Sequence, residues 1–531
     1  MSPRFIHCVS PWLRAAFAAA MAAGAPAVAL AQAGPAPAAL TPQAARQALA
    51  GQVTLHPRLL VQLVAERSAE VEYGRLQVEV AKHLSDAEAA LYEPVFYSSA
   101  RHEERQRQRD VEERLQSFAT SQIAVLDERI GSAEVGLRNR LPTGGEVSVA
   151  YRLQNKWNNI ISNASNPDYH EYQGAMVVTL KQPLLRGAGR SNVETDKRVA
   201  EAESRISALQ YQQQLLKTAS DALALYWQLY RALEIQRIRQ MALDNARRLM
   251  EDTRSRIEAG KAPQSAVIEV KASILVREVE ALRADQGVRE AQTRLATMLR
   301  VSELSGRGLR LIVNPDNIEV KRDPLTPRER YERALPAWPA FKIAQLHAEQ
   351  AKLRLDFASN ARKPAVDLVV SRTNNGLAES AGSARTIIDH RKYPEWFVGL
   401  NFEVPLLANQ KASAQYLAQA DRLSQARLEA ESIQEALAND IVSHVEQLQA
   451  AQEELKSMDQ DIELRTELMR IEKVRFESGM GLMSQLLQRE AELTESRQRR
   501  VESLARLGQA NDALLQSDGS LLAAYGVTVK D

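Results

Sequence analysis

Cysteine is almost absent from this 531-residue chain, occurring once, as Cys8. One thiol forms no disulfide within a copy and no thiolate cluster for zinc. The eight histidines include no pair at i,i+4, and neither a Gly-x-Ser-x-Gly elbow nor a Gly-x-x-x-x-Gly-Lys phosphate loop occurs. No enzyme, cofactor or metal site is therefore expected. Charge of one sign is missing too: 68 Lys and Arg face 67 Asp and Glu. So even a balance gives no polyanion-binding surface, and nucleic acid is not expected as a partner. Beyond residue 31 no apolar run reaches the roughly 18 residues of a membrane-spanning helix. That leaves open only a β-barrel, whose alternating strands carry a weaker signal. Glycine and proline are missing from 190–259 and again from 406–478. Few folds other than very long helices tolerate such runs, and at 1.5 Å per residue each spans about 100 Å.

The start of the chain reads as a secretory signal over 1–31. Arg4 and Arg14 stand without an acid, 15–23 is Ala-rich and apolar, Gly24 and Pro26 break it, and Ala29-Leu30-Ala31 supplies small residues for cleavage. Cleavage there removes Cys8 and takes the formal charge from +1 to about −1. Residues 32–56, rich in Ala, Pro and Gln, read as a tether without a core.

Heptad spacing runs through both breaker-free stretches. Leu209, Leu216, Leu223 and Tyr230 are seven apart, as are Ile441, Leu448, Leu455, Ile462, Met469 and Phe476. Leu215, Ala222, Leu225 and Leu229 add a second stripe that a lone chain is expected to expose. Shorter helices are expected over about 264–305 and 482–507. Alternation marks strands at 146–153, 366–371 and 395–404, each with one apolar and one polar face, as a wall between lipid and a watery lumen requires. Tyr97, Trp157, Tyr172, Tyr393 and Trp396 are candidates for interfacial girdles. Leu141-Pro-Thr-Gly-Gly145 marks a further hairpin turn, and the charged run 101–114 reads as a solvated loop. Gly187-Ala-Gly189 reads as a flexible junction before a helix.

Two unrelated landmarks occur twice. Val178-Thr-Leu-Lys-Gln-Pro183-Leu-Leu is echoed by Asn401-Phe-Glu-Val-Pro405-Leu-Leu, and Glu258-Ala-Gly260 by Glu477-Ser-Gly479. Their spacings, 222 and 219 residues, are nearly equal and indicate an internal duplication. The expected division is a first repeat at 57–313, a Pro-rich connection at 314–338, a second repeat at 339–515 and a tail at 516–531.

These landmarks, with Gln182-Pro-Leu-Leu-Arg-Gly187, Arg256-Ile-Glu-Ala-Gly260 and Arg475-Phe-Glu-Ser-Gly479, resemble those of the TolC-like outer-membrane efflux proteins. The resemblance implies a mainly α chain with membrane β structure. Long helical hairpins would build a trimeric periplasmic α-barrel, and two strands from each half would join a shared outer-membrane β-barrel. Pro183 and Pro405 would mark the strand-to-helix junctions. A periplasmic adaptor would dock at the hairpin tips, Gly260 and Lys261 in one half and Gly479, Met480 and Gly481 in the other, and would lead to an inner-membrane pump. Where the family carries carboxylates at the tunnel mouth this chain has Gln485 and Gln488, with Glu269 at the equivalent offset in the first half. The stretch 94–183 is longer than its counterpart and leaves the strand count open. A structural periplasmic coiled-coil protein without a transport role is the competing reading, but it explains neither the alternating strands nor the duplication.

Overall fold

The computed structural model describes residues 52–115, 122–162, 169–260, 263–300, 310–313, 325–406 and 409–527. The chain divides into two units, Met1–Val53 and Thr54–Asp531. The secretory signal and most of the tether lie outside the described residues. Leu55, inside the stretch read as a coreless tether, is buried, so that reading ends too late. The elements named below belong to the second unit.

Breaker-free sequence becomes helix along almost its whole length. Helices α1 (Pro57–Arg67) and α2 (Ala69–Ala89) precede the sheet. Then α3 (Thr195–Glu258) runs for 64 residues and forms a hairpin with α4 (Ser265–Met298). After α5 (Pro327–Ala334) and α6 (Pro339–Ala361), α8 (Gln410–Glu477) runs for 68 residues and forms a hairpin with α9 (Met483–Ser517). A short α10 (Leu521–Ala524) follows, and α7 (Ala381–Asp389) lies within the sheet region.

The double stripe on α3 is covered inside one chain, against expectation. Leu215, Ala222, Leu223 and Leu229 are buried, in part against Val61 of α1, Val71 of α2 and Leu521 of α10. Short helices from the same chain provide the second layer. What the chain leaves bare is elsewhere: Ile268, Leu275 and Leu282 along α4, Tyr73, Val80 and Leu84 along α2, and Leu464, Leu468 and Ile471 along α8. Two other expectations change at the ends. The tail read from 516 includes α10, whose Leu521 is fully buried. The connection at 314–338 contains α5, started by Pro327 and a Thr326–Glu329 capping box and held by a buried Arg330–Asp518 pair at 2.9 Å.

Six strands make one antiparallel sheet in sequence order: β1 (Val95–Gln108), β2 (Val125–Arg140), β3 (Glu146–Asn158), β4 (Glu171–Pro183), β5 (Ala365–Ala378) and β6 (Tyr393–Glu403). The first half of the chain therefore gives four strands and the second half two, not two each. Part of the charged run, read as loop, is strand through Gln108, and Val111–Leu115 is a short helix. Alternating charge hid the strand because both faces of its outer half meet water. Its Arg105 reaches Glu128 of β2 at 2.7 Å.

The register sorts the side chains into two faces. One carries Phe96, Val135 and Leu137, Val149 and Tyr151, Met176 and Val178, Leu368 and Val370, then Trp396, Val398, Leu400 and Phe402, with Arg372 between Val178 and Trp396 and with Glu104 and Arg129 towards the far ends of β1 and β2. The opposite face carries Arg138, Glu134, Arg152, Lys181, Asp367, Glu395 and Glu403. Most of the apolar face is exposed in the single chain, with Trp396 at 77% and Phe402 at 71%. An apolar sheet face open to its surroundings suits lipid on that side. Of the girdle candidates, Trp157, Tyr172 and Trp396 lie on the apolar face, while Tyr97 and Tyr393 lie on the polar one.

Candidate channel mouth

Each hairpin turns on a glycine because its backbone enters the left-handed region, where a Cβ is penalised. Gly260 has φ +69° and donates its N–H to the Ile257 carbonyl at 2.9 Å. Gly479 has φ +78°, and its N–H meets the Phe476 carbonyl at 3.1 Å while the Met480 N–H meets that of Arg475 at 2.9 Å. Those two bonds cap the last turn of α8 in the Schellman pattern. A Cβ on Gly481 would stand 2.9 Å from the Phe476 nitrogen. Met480 and Leu482 are exposed beside the turn. Lys261 lies outside the described residues.

The two tips sit together. Met250 of α3, Ala266 and Val270 of α4, and Met483 and Leu486 of α9 form one buried cluster, with Met469 and Phe476 of α8 packed on it. Arg256 stacks over the Phe476 ring at 5.2 Å and pairs with Asp252 at 2.9 Å. Arg256 is thereby occupied away from Glu269. Glu269 is exposed and forms no ion pair among the described residues.

Gln485 and Gln488 are also exposed, but Gln488 donates to Glu492 at 3.0 Å. Glu492 belongs to a network that motif reading missed. Arg489 holds it at 2.8 Å and Arg465 of α8 at 3.4 Å. Arg465 also binds Asp461, which accepts from Ser496 at 2.5 Å. The Ser496 hydroxyl, then Arg465, hold the Asp461 carboxyl below its ordinary range, and Arg489 does so first for Glu492. Deeper in, Arg277 of α4 pairs with Glu490 of α9 at 3.0 Å and donates to the Ala242 carbonyl of α3 at 3.2 Å. This nearly buried pair ties the two hairpins together. The i,i+3 and i,i+4 partners are visible in the sequence, but the cross-helix partners are not. On α8, Glu472 is buried with its Oε1 lacking a hydrogen-bond partner among the described residues.

The strand-to-helix junctions are ordered by bonds. Pro183 closes β4, and the Leu184 N–H continues to the Val366 carbonyl at 2.8 Å. Gly187 and Gly189 take φ +83° and +94°, with their N–H groups bonded to Asn360 Oδ1 and the Thr143 carbonyl. The junction is thus fixed rather than flexible. Pro405 is exposed just past β6.

Known proteins place this geometry. The outer-membrane efflux protein BepC of Brucella suis biovar 1 (strain 1330) is 25% identical over 333 residues, 61% of this chain and 67% of the relative. The protease secretion protein PrtF of Dickeya chrysanthemi is 25% identical over 268 residues, 48% of this chain and 52% of the relative. The outer-membrane channel CmeC of Campylobacter jejuni shares the fold with a TM-score of 0.61 and 11% identity, covering 88% of this chain and 86% of that one. By sequence the chain is similar to outer-membrane efflux and secretion proteins, and by fold to an outer-membrane channel. No family model matches it. Among the described residues no helix is long and apolar enough to cross a membrane, and no group of three or more His, Cys, Asp or Glu could hold a metal ion.

Proposed function

We propose that three copies of this chain close one conduit, which receives cargo at the hairpin tips from a periplasmic adaptor and an inner-membrane pump and releases it outside the cell. The reading rests on one observation: a two-faced sheet with its apolar side exposed is continuous, in one chain, with two hairpins of very long helices. The bare apolar rows on α2, α4 and α8 supply helix faces for neighbouring copies. One relative is named for efflux and another for protease secretion, so the cargo is a small compound or a polypeptide. No catalysis is part of this reading.

The adaptor contacts the tips at Gly260, Lys261, Gly479, Met480 and Gly481, where exposed Met480 offers an apolar anchor. Glu269 supplies the aperture's charge: three exposed carboxylates facing one lumen make a strong local potential. Gln485 and Gln488 line the same level without charge, and Gln488 is partly engaged by Glu492. The test is single-channel recording of the outer-membrane protein in planar bilayers. Glu269→Gln is expected to weaken cation selectivity, and Gln488→Asp to strengthen it. Unchanged selectivity in both would place the aperture elsewhere, and absence of any channel from an intact trimer would refute the conduit.

A further inference from the structure

The six-stranded sheet ends in two open edges. Among the described residues neither β1 nor β6 pairs on its outer side. Such edges are not tolerated in lipid, where every backbone group must be paired. Building on the trimeric conduit, we infer that β6 of one copy pairs antiparallel with β1 of the next, so that the outer-membrane wall has eighteen strands and the β1–β2 hairpin is part of it.

The sheet is staggered as a barrel wall is. From Val398 in the middle of β6, the hydrogen-bonded row passes Val370, Leu180, Val147 and Asn139. Asn139 lies one residue past Arg138, the partner of Val95, so the row leaves the sheet at the very start of β1. Each strand is displaced the same way, and the displacement accumulates to about seven residues, roughly 25 Å along the strands against about 24 Å across five inter-strand steps. That corresponds to a tilt of about 45°, the value for strands of a closed barrel. An even number of strands makes β6 antiparallel to the next β1. The apolar face also reaches the last strand, through Leu137 and Val135 of β2 to Phe96 and Ala100 of β1. β2 pairs with β3 along its whole lower length, from Glu128–Asn158 to Arg140–Glu146, so the first hairpin does not fold away.

The edges carry charges of both signs, and Arg101, Arg105 and Arg107 of β1 pair within the chain with Glu103, Glu128 and Glu113. On its polar face β1 carries Arg101, Arg105 and Arg107 with Glu103, and β6 carries Glu395 and Glu403. Continuing the stagger across the seam allows two registers that keep the faces matched. In one, Asn401 faces Ser99 of the next copy and Glu395 faces Arg105. In the other, Asn401 faces Arg101 and Glu395 faces Arg107. Both set an arginine against Glu395. Barrel diameter grows roughly linearly with strand number. A wall that left out β1 and β2 would have four strands per copy, and the full wall is half as wide again.

The test uses the full-length protein in outer membranes, with Asn401→Cys combined in turn with Ser99→Cys, Arg101→Cys and Ser148→Cys. Mild oxidation and denaturing, non-reducing electrophoresis read the cross-link, while native mass of the detergent-extracted protein reads the trimer. Covalent trimers from the Ser99 or the Arg101 pair are expected, with none from Ser148 on β3. Trimers of intact native mass that cross-link only through Ser148, or through none of the three, overturn the eighteen-stranded seam and leave the conduit standing. Particles that are not trimers overturn the parent reading itself.

Discussion

Arg277 offers the most direct test of how the two hairpins are locked. Its guanidinium holds Glu490 at 3.0 Å and the Ala242 carbonyl at 3.2 Å. The side chains of Arg277 and Glu490 are 8% and 12% exposed, so water replaces little of what either loses. Arg277→Ala leaves a carboxylate with no counter-ion in that site. Breaking a buried pair from one side costs about 3–5 kcal/mol. The residual exposure of Glu490 sets the expectation near the lower end, about 3 kcal/mol, with the lost bond to Ala242 adding about 1 kcal/mol. Glu490→Ala strands the guanidinium instead. The double variant removes both charges and should recover about 2 kcal/mol relative to the sum of the singles. Denaturant titration of the detergent-extracted protein, run as a double-mutant cycle, measures this coupling. Single-channel conductance reads its consequence, and either single variant should raise it by loosening the mouth. If the four stabilities add to within about 0.3 kcal/mol, the pair does not couple the hairpins and the reasoning fails.

Three other outcomes are expected. Burial holds the Asp512 carboxyl above its ordinary 3.8, even though Tyr525 and Trp227 donate to it. As pH rises past 3.8 the unfolded chain releases its proton before the folded chain does, so stability falls until the raised folded value is passed and then levels. Asp512→Asn should remove that decline, and thermal melts of the two proteins that stay parallel with pH would refute it. Gly508 is buried where a Cβ would overlap the Trp227 ring, and that ring is held by its 2.7 Å bond to Asp512. Gly508→Ala should therefore cost about 1–3 kcal/mol, checked by the same denaturant titration, and a neutral result would mean that the indole can shift. Gly479→Trp should leave trimers intact, at about 1–2 kcal/mol of turn strain, and abolish export in complementation; normal export would move the adaptor site off this tip.

The sequence by itself determined the elements whose signal is local. Stretches without Gly or Pro had to be helix, and Gly260 and Gly479 had to end them, because a reversal through positive φ excludes most other residues. Alternation revealed β3, β5 and β6, where one face is mainly apolar and the other mainly polar. It did not reveal the outer half of β1, where water on both sides removes the contrast that a period-two pattern needs. Partners distant along the chain were decided only by the tertiary structure. The second stripe on α3 looked like an interface, yet Leu215 packs in one cluster with residues of α1, α2 and α10, Ala222 and Leu229 are buried and Leu225 is half-buried, because apolarity specifies that a face is buried but not by what. Arg277 and Glu490 stand 213 positions apart and were unremarkable as letters. Their pairing depends on two hairpins lying side by side, which no local preference encodes.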